Sequence, residues 1–120
     1  MERVRFVLHK NATVLAVDVS HSGDLEENIA VLARAMKIIG SRPPKSMLLL
    51  TNVTETPFNI KAVEEIKAYA KFNTPYVKAS AVVGVTGIRK VVLDAIIKLT
   101  GRTIVSFETE EEALDWLAAQ

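Results

Sequence analysis

The chain of 120 residues contains no cysteine, so disulfides, thiol chemistry and cysteine-ligated zinc are excluded. Glycine and proline are too sparse, at five and four residues, for a low-complexity segment rich in either. No apolar run approaches the roughly 18 residues that a membrane span needs. Basic and acidic residues balance to a net charge of +1, so the sequence gives no sign of the basic face that nucleic acid requires.

The composition that remains, 49% hydrophobic and 24% charged, is that of an ordinary globular domain. The length suits one hydrophobic core, and we expect residues 1–120 to form a single domain. Near the N-terminus, Glu2, Arg3 and Arg5 stand where a signal peptide has its apolar segment. We therefore expect a cytoplasmic protein with no transmembrane segment and no nucleic-acid partner.

The order of the predicted elements is the most informative feature, since it reads β-β-α-β-α-β-α-β-α. Val4, Phe6 and Leu8 face one way and Arg3, Arg5 and His9 the other, which predicts a half-buried strand. The apolar run 14–17 predicts a strand covered on both faces. The predicted strands are Arg3–His9, Thr13–Val19, Ser46–Thr51, Val77–Val85 and Thr103–Phe107. This order predicts an α/β fold with a single mixed five-stranded sheet, in which strands two to five are mostly parallel.

Four helices alternate with these strands and carry apolar stripes at spacings of three and four residues. Two of them begin with capping-box patterns, Asp24 with Glu27 and Thr109 with Glu112. The first predicted helix is Asp24–Gly40, with Gly40 in the left-handed terminal position. The second begins with Thr56 as cap and Pro57 in its first turn, and it ends at 73–75. The third is Gly87–Thr100, capped by Thr86, and the fourth follows Thr109.

Ligands of open α/β sheets bind at the carboxyl ends of the parallel strands. The loops at those ends gather the polar and apolar groups that we predict to bind a partner or ligand. These residues are Ser20, His21, Asn52, Thr54, Thr56, Phe58, Thr86 and Arg89. The threonine-rich loop 51–57 suits a partner-binding or phosphoacceptor role as well as ordinary turn and cap roles.

Other chemistry is weakly signalled. Ser20 and His21 have the residue types of a hydrolase, but neighbours in sequence rarely reach that geometry, and no Gly-x-Ser-x-Gly turn is present. His9 and His21 stand apart from any cluster of metal-ligand spacing. The segment 84–90 can hold an anion at a helix start or simply supply a cap and tight packing. We therefore predict no catalytic residue, no metal and no cofactor.

The helix Ile88–Leu99 is more apolar than a surface helix normally is. Its stripe comprises Ile88, Val91, Val92, Ala95, Ile96 and Leu99. Three explanations remain open: deep burial between the sheet and another helix, a subunit interface, or the wall of a pocket for an apolar ligand. Ile88, Val92 and Ile96 are the residues predicted to lie at such an interface or pocket.

The chain resembles the STAS (SpoIIAA-like) family over nearly its whole length, including small bacterial members described as STAS/CRAL-TRIO-like. The resemblance rests on the order of elements and on three segments: Leu-Leu-Leu-Thr-Asn-Val-Thr at 48–54, Tyr-Val-Lys-Ala-Ser-Ala-Val-Val-Gly-Val-Thr-Gly at 76–87, and Phe-Glu-Thr-Glu-Glu-Glu-Ala-Leu-Asp-Trp-Leu at 107–117. It implies the SpoIIAA-like fold and a non-enzymatic regulatory or protein-interaction module with a protein partner. The apolar helix leaves a homodimer open as well.

One departure from the family pattern affects this expectation. The resemblance implies a phosphorylatable serine at the start of the helix after the third strand, where this chain has Pro57, Phe58 and Asn59. The nearest hydroxyls are those of Thr54 and Thr56, and Phe58 instead suggests an apolar contact or pocket wall. The alternative function is therefore binding of a small apolar ligand or lipid, with the helix Ile88–Leu99 as a wall of the pocket.

Overall fold

A computed structural model describes residues 2–120 and contains the elements in the predicted order. The strands are β1 (Val4–His9), β2 (Ala12–Asp18), β3 (Met47–Asn52), β4 (Val77–Val83) and β5 (Ile104–Phe107). The helices are α1 (Leu25–Gly40), α2 (Ile60–Asn73), α3 (Arg89–Thr100) and α4 (Glu110–Ala118). The predicted α/β fold with one mixed five-stranded sheet is confirmed.

The strands lie in the sheet in the order in which they occur in the chain. β1 and β2 form an antiparallel hairpin, whose turn residues Lys10 and Asn11 have φ values of 50° and 68°, as a tight hairpin turn requires. β2, β3, β4 and β5 are parallel. Because successive right-handed crossovers always step to the next strand, α1, α2 and α3 are expected on one face of the sheet.

The buried clusters agree with that layering. On one face, α1 and α2 pack on β2 and β3 through a cluster that includes Leu15, Val17, Leu32, Ile39, Leu49 and Tyr69. On the other face, α4 alone packs on the sheet through Ala113 and Leu117, against Val14, Ala16, Leu50, Ala79 and Ala81. The small alanine side chains of the strands let this helix lie close to the sheet, so one short helix suffices there.

The edge strand β1 buries less of its apolar face than the alternation predicts. Only Val4 is buried, whereas Phe6 and Leu8 remain 45% and 74% exposed. The Arg42 guanidinium lies over the Phe6 ring at 5.0 Å from its centroid and covers part of it. Within residues 2–120, none of the helices combines the length and apolar character needed to cross a bilayer.

The predicted N-caps of α1 and α4 form. The Asp24 side chain accepts a hydrogen bond from the backbone N–H of Glu27 at 3.2 Å, and Thr109 accepts one from that of Glu112 at 3.2 Å. The prediction for Gly40 is wrong, because this residue is still helical and Ser41 follows it as the C-cap. The Ser41 backbone N–H donates to a carbonyl of the last turn, so α1 ends without a left-handed residue.

The predicted start of α2 is also wrong. The helix begins at Ile60, and Asn59 is its N-cap, with a side-chain oxygen 2.9 Å from the Ala62 backbone nitrogen. The Thr56 hydroxyl, which was expected to be the cap, donates instead to the Val53 carbonyl oxygen at 2.8 Å. The threonine thus stabilises a turn before the helix, and the helix starts four residues after it.

The predicted cap of α3 is absent. The helix begins at Arg89, its N-cap Ile88 offers no side-chain hydrogen bond, and Thr86 takes part only through its carbonyl, which accepts from the Arg89 N–H at 3.2 Å. Two glycines of the preceding loop, Gly84 and Gly87, have positive φ values of 91° and 58°. The start of α3 is therefore set by backbone turns that only glycine adopts without strain.

Gly84 makes the closest approach between two loops, which leads to a first prediction. A Cβ at Gly84 would lie 2.6 Å from both the Cα and the backbone nitrogen of Thr54, whereas a Cβ at Gly87 would meet nothing within 4 Å. We expect Gly84→Ala to lower the free energy of unfolding by about 3 kcal/mol and Gly87→Ala by about 1 kcal/mol. Denaturant unfolding of both variants measures the difference, and equal losses would contradict the role given to the contact.

Candidate functional site

The face of the sheet opposite α4 contains a partly open cavity of about 120 Å³ between α2 and α3. We call it the α2–α3 cavity. Its floor consists of inward-facing residues from β3, β4 and β5, including Leu49, Thr51, Ser80, Val82 and Ile104. Its walls are Ala62, Val63, Ile66, Tyr69 and Ala70 from α2, and Arg89, Val92, Leu93 and Ile96 from α3.

The cavity exists because α3 packs loosely on the sheet. Ile96 is its only buried residue, and small side chains such as Ala70 and Ser80 lie opposite. Deep burial of this helix, one of the three explanations for its apolar character, is therefore wrong. Val92 and Ile96 line the cavity, whereas Ile88 is 67% exposed and lies outside it.

Tyr69 and Thr51 bring two hydroxyl groups to the mostly apolar lining of the cavity. Tyr69 is 5% exposed, and its hydroxyl lies 3.1 Å from the Thr51 hydroxyl. Burial raises the pKa of Tyr69 to about 12, although the Thr51 hydrogen bond and the positive charge of Arg102 act in the opposite direction. The phenol is therefore neutral at ordinary pH and can both donate and accept a hydrogen bond.

Arg102 lies in the short loop between α3 and β5, and its side chain lines the floor of the cavity. Its guanidinium donates to the Ala70 carbonyl oxygen at 3.0 Å and to the hydroxyl of the buried Ser80. Burial lowers the pKa of Arg102 because the charged form loses part of its hydration. Among residues 2–120, Arg102 forms no salt bridge. A cation without a counterion thus lines an apolar cavity.

Arg89 and Phe58 form the more exposed end of the cavity. The Arg89 guanidinium donates to the Thr56 carbonyl oxygen at 2.6 Å and lies over the Phe58 ring, 5.5 Å from its centroid. Phe58 keeps 40% of its surface exposed while it lines the cavity. These two side chains therefore lie where the cavity reaches the protein surface.

The remaining loop residues form a separate network, which we call the polar rim, comprising Asp18, Ser20, His21, Asn52, Thr54 and Glu55. The Ser20 hydroxyl donates to Asp18 at 2.5 Å, and the His21 ring nitrogen lies 2.7 Å from the Glu55 carboxylate. Ser20 and His21, although adjacent in sequence, therefore each contact another residue and not each other. This arrangement does not form the hydroxyl–imidazole hydrogen bond that a hydrolytic nucleophile needs.

The other half of the polar rim fixes the loop between β3 and α2. The Asn52 side-chain oxygen accepts from the Thr54 backbone N–H at 3.1 Å and from its hydroxyl at 2.7 Å. The Asn52 amide donates to Glu110 at 2.9 Å, and the Thr54 carbonyl accepts from the His21 N–H at 2.8 Å. Within residues 2–120, no three His, Asp or Glu side chains gather as a metal site.

The predicted site residues therefore separate into three groups. Thr56, Phe58, Arg89, Val92 and Ile96 line the cavity; Ser20, His21, Asn52 and Thr54 belong to the polar rim; Thr86 and Ile88 lie exposed in the loop before α3. Sequence reasoning missed Tyr69, Ser80 and Arg102. Ser80 carried a usable signal, because in β4 it shares the inward face with Val82, where an apolar residue is expected.

Comparisons with protein-family models, with curated proteins and with solved structures found no match to this chain. The STAS resemblance stays a prediction for that reason. The function has to be inferred from the cavity and its surroundings.

The raised pKa of Tyr69 predicts a loss of stability at high pH. Above pH 10.0 the phenol ionises in the unfolded chain, whereas in the folded protein it keeps its proton to about pH 12. The contribution of the protonated phenol to the free energy of unfolding is therefore complete below the pKa of the unfolded chain. It is lost as the pH rises toward the pKa of the folded protein. Between about pH 9 and about pH 11.5, we expect the wild type to lose about 2 kcal/mol more unfolding free energy than Tyr69→Phe.

Denaturant unfolding at a series of pH values measures this difference. Tyr69→Phe is the matched control because it keeps the ring and all the lysines, which also titrate in this range. Parallel pH profiles for the two proteins would show that the phenol is not held neutral by burial.

Proposed function

We propose that the protein binds a small, mainly apolar ligand in the α2–α3 cavity. The observation that supports this most directly is an apolar space of about 120 Å³, with polar groups confined to its floor and its exposed end. A cavity of about 150 Å³ lined by apolar side chains binds benzene in another protein. A single ring or a short branched chain matches the space here, and a longer ligand can extend past Phe58.

The stability cost of the cavity also supports a role in binding. At the roughly 24 cal/mol per Å³ of a closed void, about 120 Å³ corresponds to at most about 3 kcal/mol relative to a filled core, and to less where the cavity is open to solvent. This is a large share of the roughly 5–15 kcal/mol that stabilises a typical domain. One larger side chain on α3 would fill much of the space. Retaining small residues at that cost is typical of a site whose function depends on the space.

The start of α3 offers a route into the cavity. It lacks a side-chain cap, and Arg89 and Lys90 place positive charge in the first turn, where the helix dipole favours negative charge. The glycines at 84 and 87 precede it. Local opening is least costly where packing and capping are weakest, so we propose that this turn moves to admit the ligand.

We further propose that the protein works by binding and not by catalysis. The polar rim supports this view because its hydroxyl and imidazole are engaged elsewhere: Ser20 donates to Asp18, and His21 pairs with Glu55. The rim residues hold the loops that carry Phe58 and Arg89. Their contribution is therefore to the shape of the cavity.

Val92→Phe tests the binding function, because Val92 lines the cavity and a phenyl ring there would occupy it. We expect the variant to raise the Kd of toluene by at least about tenfold, a change of about 1.4 kcal/mol. The free energy of unfolding should stay equal or increase, since the void is filled. NMR titration gives the Kd and denaturant unfolding gives the stability.

Val91→Phe is the matched control, since Val91 adjoins Val92 but is 66% exposed on the outer side of α3. Its Kd for toluene should match that of the wild type. If toluene bound equally well to both variants, the ligand would lie elsewhere and the proposed site would be wrong.

A second proposal, a regulatory interaction module, is favoured by the outer face of α3. Ile88, Val91 and Leu99 are 67%, 66% and 57% exposed there, and clustered exposed apolar residues are typical of protein-binding surfaces. The STAS resemblance implies the same role, with a protein partner or a second copy of the chain. Cytoplasmic location is part of this proposal.

Self-association through this face is tested with Val91→Glu. A carboxylate at the centre of an apolar interface is costly to bury, so we expect the Kd of the dimer to rise by at least about tenfold. Ala33→Glu, on the exposed side of α1, adds the same charge at another helical surface and should change nothing. Sedimentation equilibrium measures both. A monomeric wild type would contradict the homodimer, and equal dimerisation of all three proteins would contradict an interface on this face of α3.

A further inference from the structure

We infer that the ligand of the α2–α3 cavity carries a carboxylate, which pairs with the guanidinium of Arg102. This inference rests on the proposed binding function and names the chemical class of the ligand: a carboxylic acid with a single ring or a short branched chain. Nothing in the proposed function itself requires the ligand to be charged.

The free hydrogen-bond donors of Arg102 are the first argument. A guanidinium has five N–H groups. Within residues 2–120, the Arg102 guanidinium uses two of them, in hydrogen bonds to the Ala70 carbonyl and the Ser80 hydroxyl. Both contacts are to neutral acceptors, and no salt bridge to Arg102 forms within residues 2–120. Three N–H groups of the guanidinium remain, and donors of this planar group can bind the two oxygens of a carboxylate.

The charge of the cavity lining is the second argument. Two arginines and no acidic residue line the space, so its electrostatic potential favours an anion. The two arginines differ in their surroundings. Both are partly exposed, but Arg89 lies over the half-exposed Phe58 ring, whereas Arg102 contacts groups of the buried floor. An ion pair gains more where less water competes, which favours Arg102.

The hydroxyls of the floor complete the anion site. Tyr69 and Thr51 lie within hydrogen-bond distance of each other, so Thr51 can donate to Tyr69 while the phenol donates to a carboxylate oxygen. The phenol is protonated at neutral pH, and burial raises its pKa further, so it places no negative charge beside the ligand. The apolar walls would then surround the ring or chain.

The size and lining of the cavity favour a carboxylate over a phosphate. About 120 Å³ leaves little space beyond one ring, and a doubly charged group loses more hydration than a singly charged one on entering a mostly apolar cavity. A carboxylate carries one charge, and a guanidinium can satisfy both of its oxygens at once.

The test compares three probes of similar shape: toluene, benzamide and benzoate. Toluene reports whether the cavity binds an apolar ring at all, and benzamide carries a neutral group in place of the carboxylate. We expect wild-type protein at neutral pH to bind benzoate at least about tenfold more tightly than benzamide. NMR titration of the full chain gives the three Kd values.

Variants then assign the preference to one arginine. Arg102→Gln should bring the Kd values of benzoate and benzamide to within about twofold of each other, and Arg102→Lys should keep part of the preference because it keeps the charge. Arg89→Gln should retain most of it. Arg34→Gln, an exposed charge change on α1, is the control and should behave as wild type. If Arg102→Gln fails to fold, Arg102→Lys and the wild-type comparison still decide.

The outcomes separate this inference from the proposed function. If toluene binds but benzoate is no tighter than benzamide, the carboxylate assignment is wrong and the apolar site stands. If benzoate is preferred and Arg89→Gln abolishes the preference while Arg102→Gln does not, Arg102 is the wrong partner. If none of the three probes binds, the proposed binding function itself is overturned.

Discussion

The whole structure depends on a mismatch of width between strands and helices. Neighbouring strands lie about 4.8 Å apart, so the four parallel strands span about 14 Å, whereas three adjacent helices at about 10 Å span about 20 Å between the outer axes. Sequential strand order places α1, α2 and α3 on one face, and the difference in width predicts that α3, whose strand β5 is the sheet edge, extends past that edge. The poor burial of α3 and the cavity beneath it follow from this geometry.

An overhanging helix has two apolar faces with different consequences. Its inner face, which includes Val92 and Ile96, borders a space that the sheet does not fill. Its outer face, which includes Val91 and Leu99, remains exposed. The loops at the carboxyl ends of the strands then decide how firmly α3 is held. The contact of Gly84 with Thr54 brings two of these loops together and so positions the exposed end of the cavity.

The regular elements were predictable because their signals are local. Asp24 and Thr109 cap helices through hydrogen bonds three residues along the chain, and strand periodicity reports burial directly. The start of α2 was not predictable, because the Thr56 hydroxyl hydrogen-bonds to the preceding turn instead of capping the helix. The start of α3 was not predictable either, because backbone turns at Gly84 and Gly87 set it. A pocket walled by this helix was one of the sequence-based alternatives, but the extent and full lining of the cavity were not predictable, for a different reason. It is defined by what side chains from five elements leave empty, and Arg102 enters it only through tertiary structure.

The void and the charge of Arg102 are two separate costs of the empty protein. An apolar molecule recovers the packing energy of the void but leaves the guanidinium without a counterion, whereas a small carboxylate recovers packing and neutralises the charge. An apolar residue in place of Arg102 would avoid the cost of a charge without a counterion. The arginine that is present is held in one position by hydrogen bonds to the Ala70 carbonyl and the Ser80 hydroxyl. A cation held in a fixed position beside unfilled apolar space is the arrangement expected of a site that selects for charge.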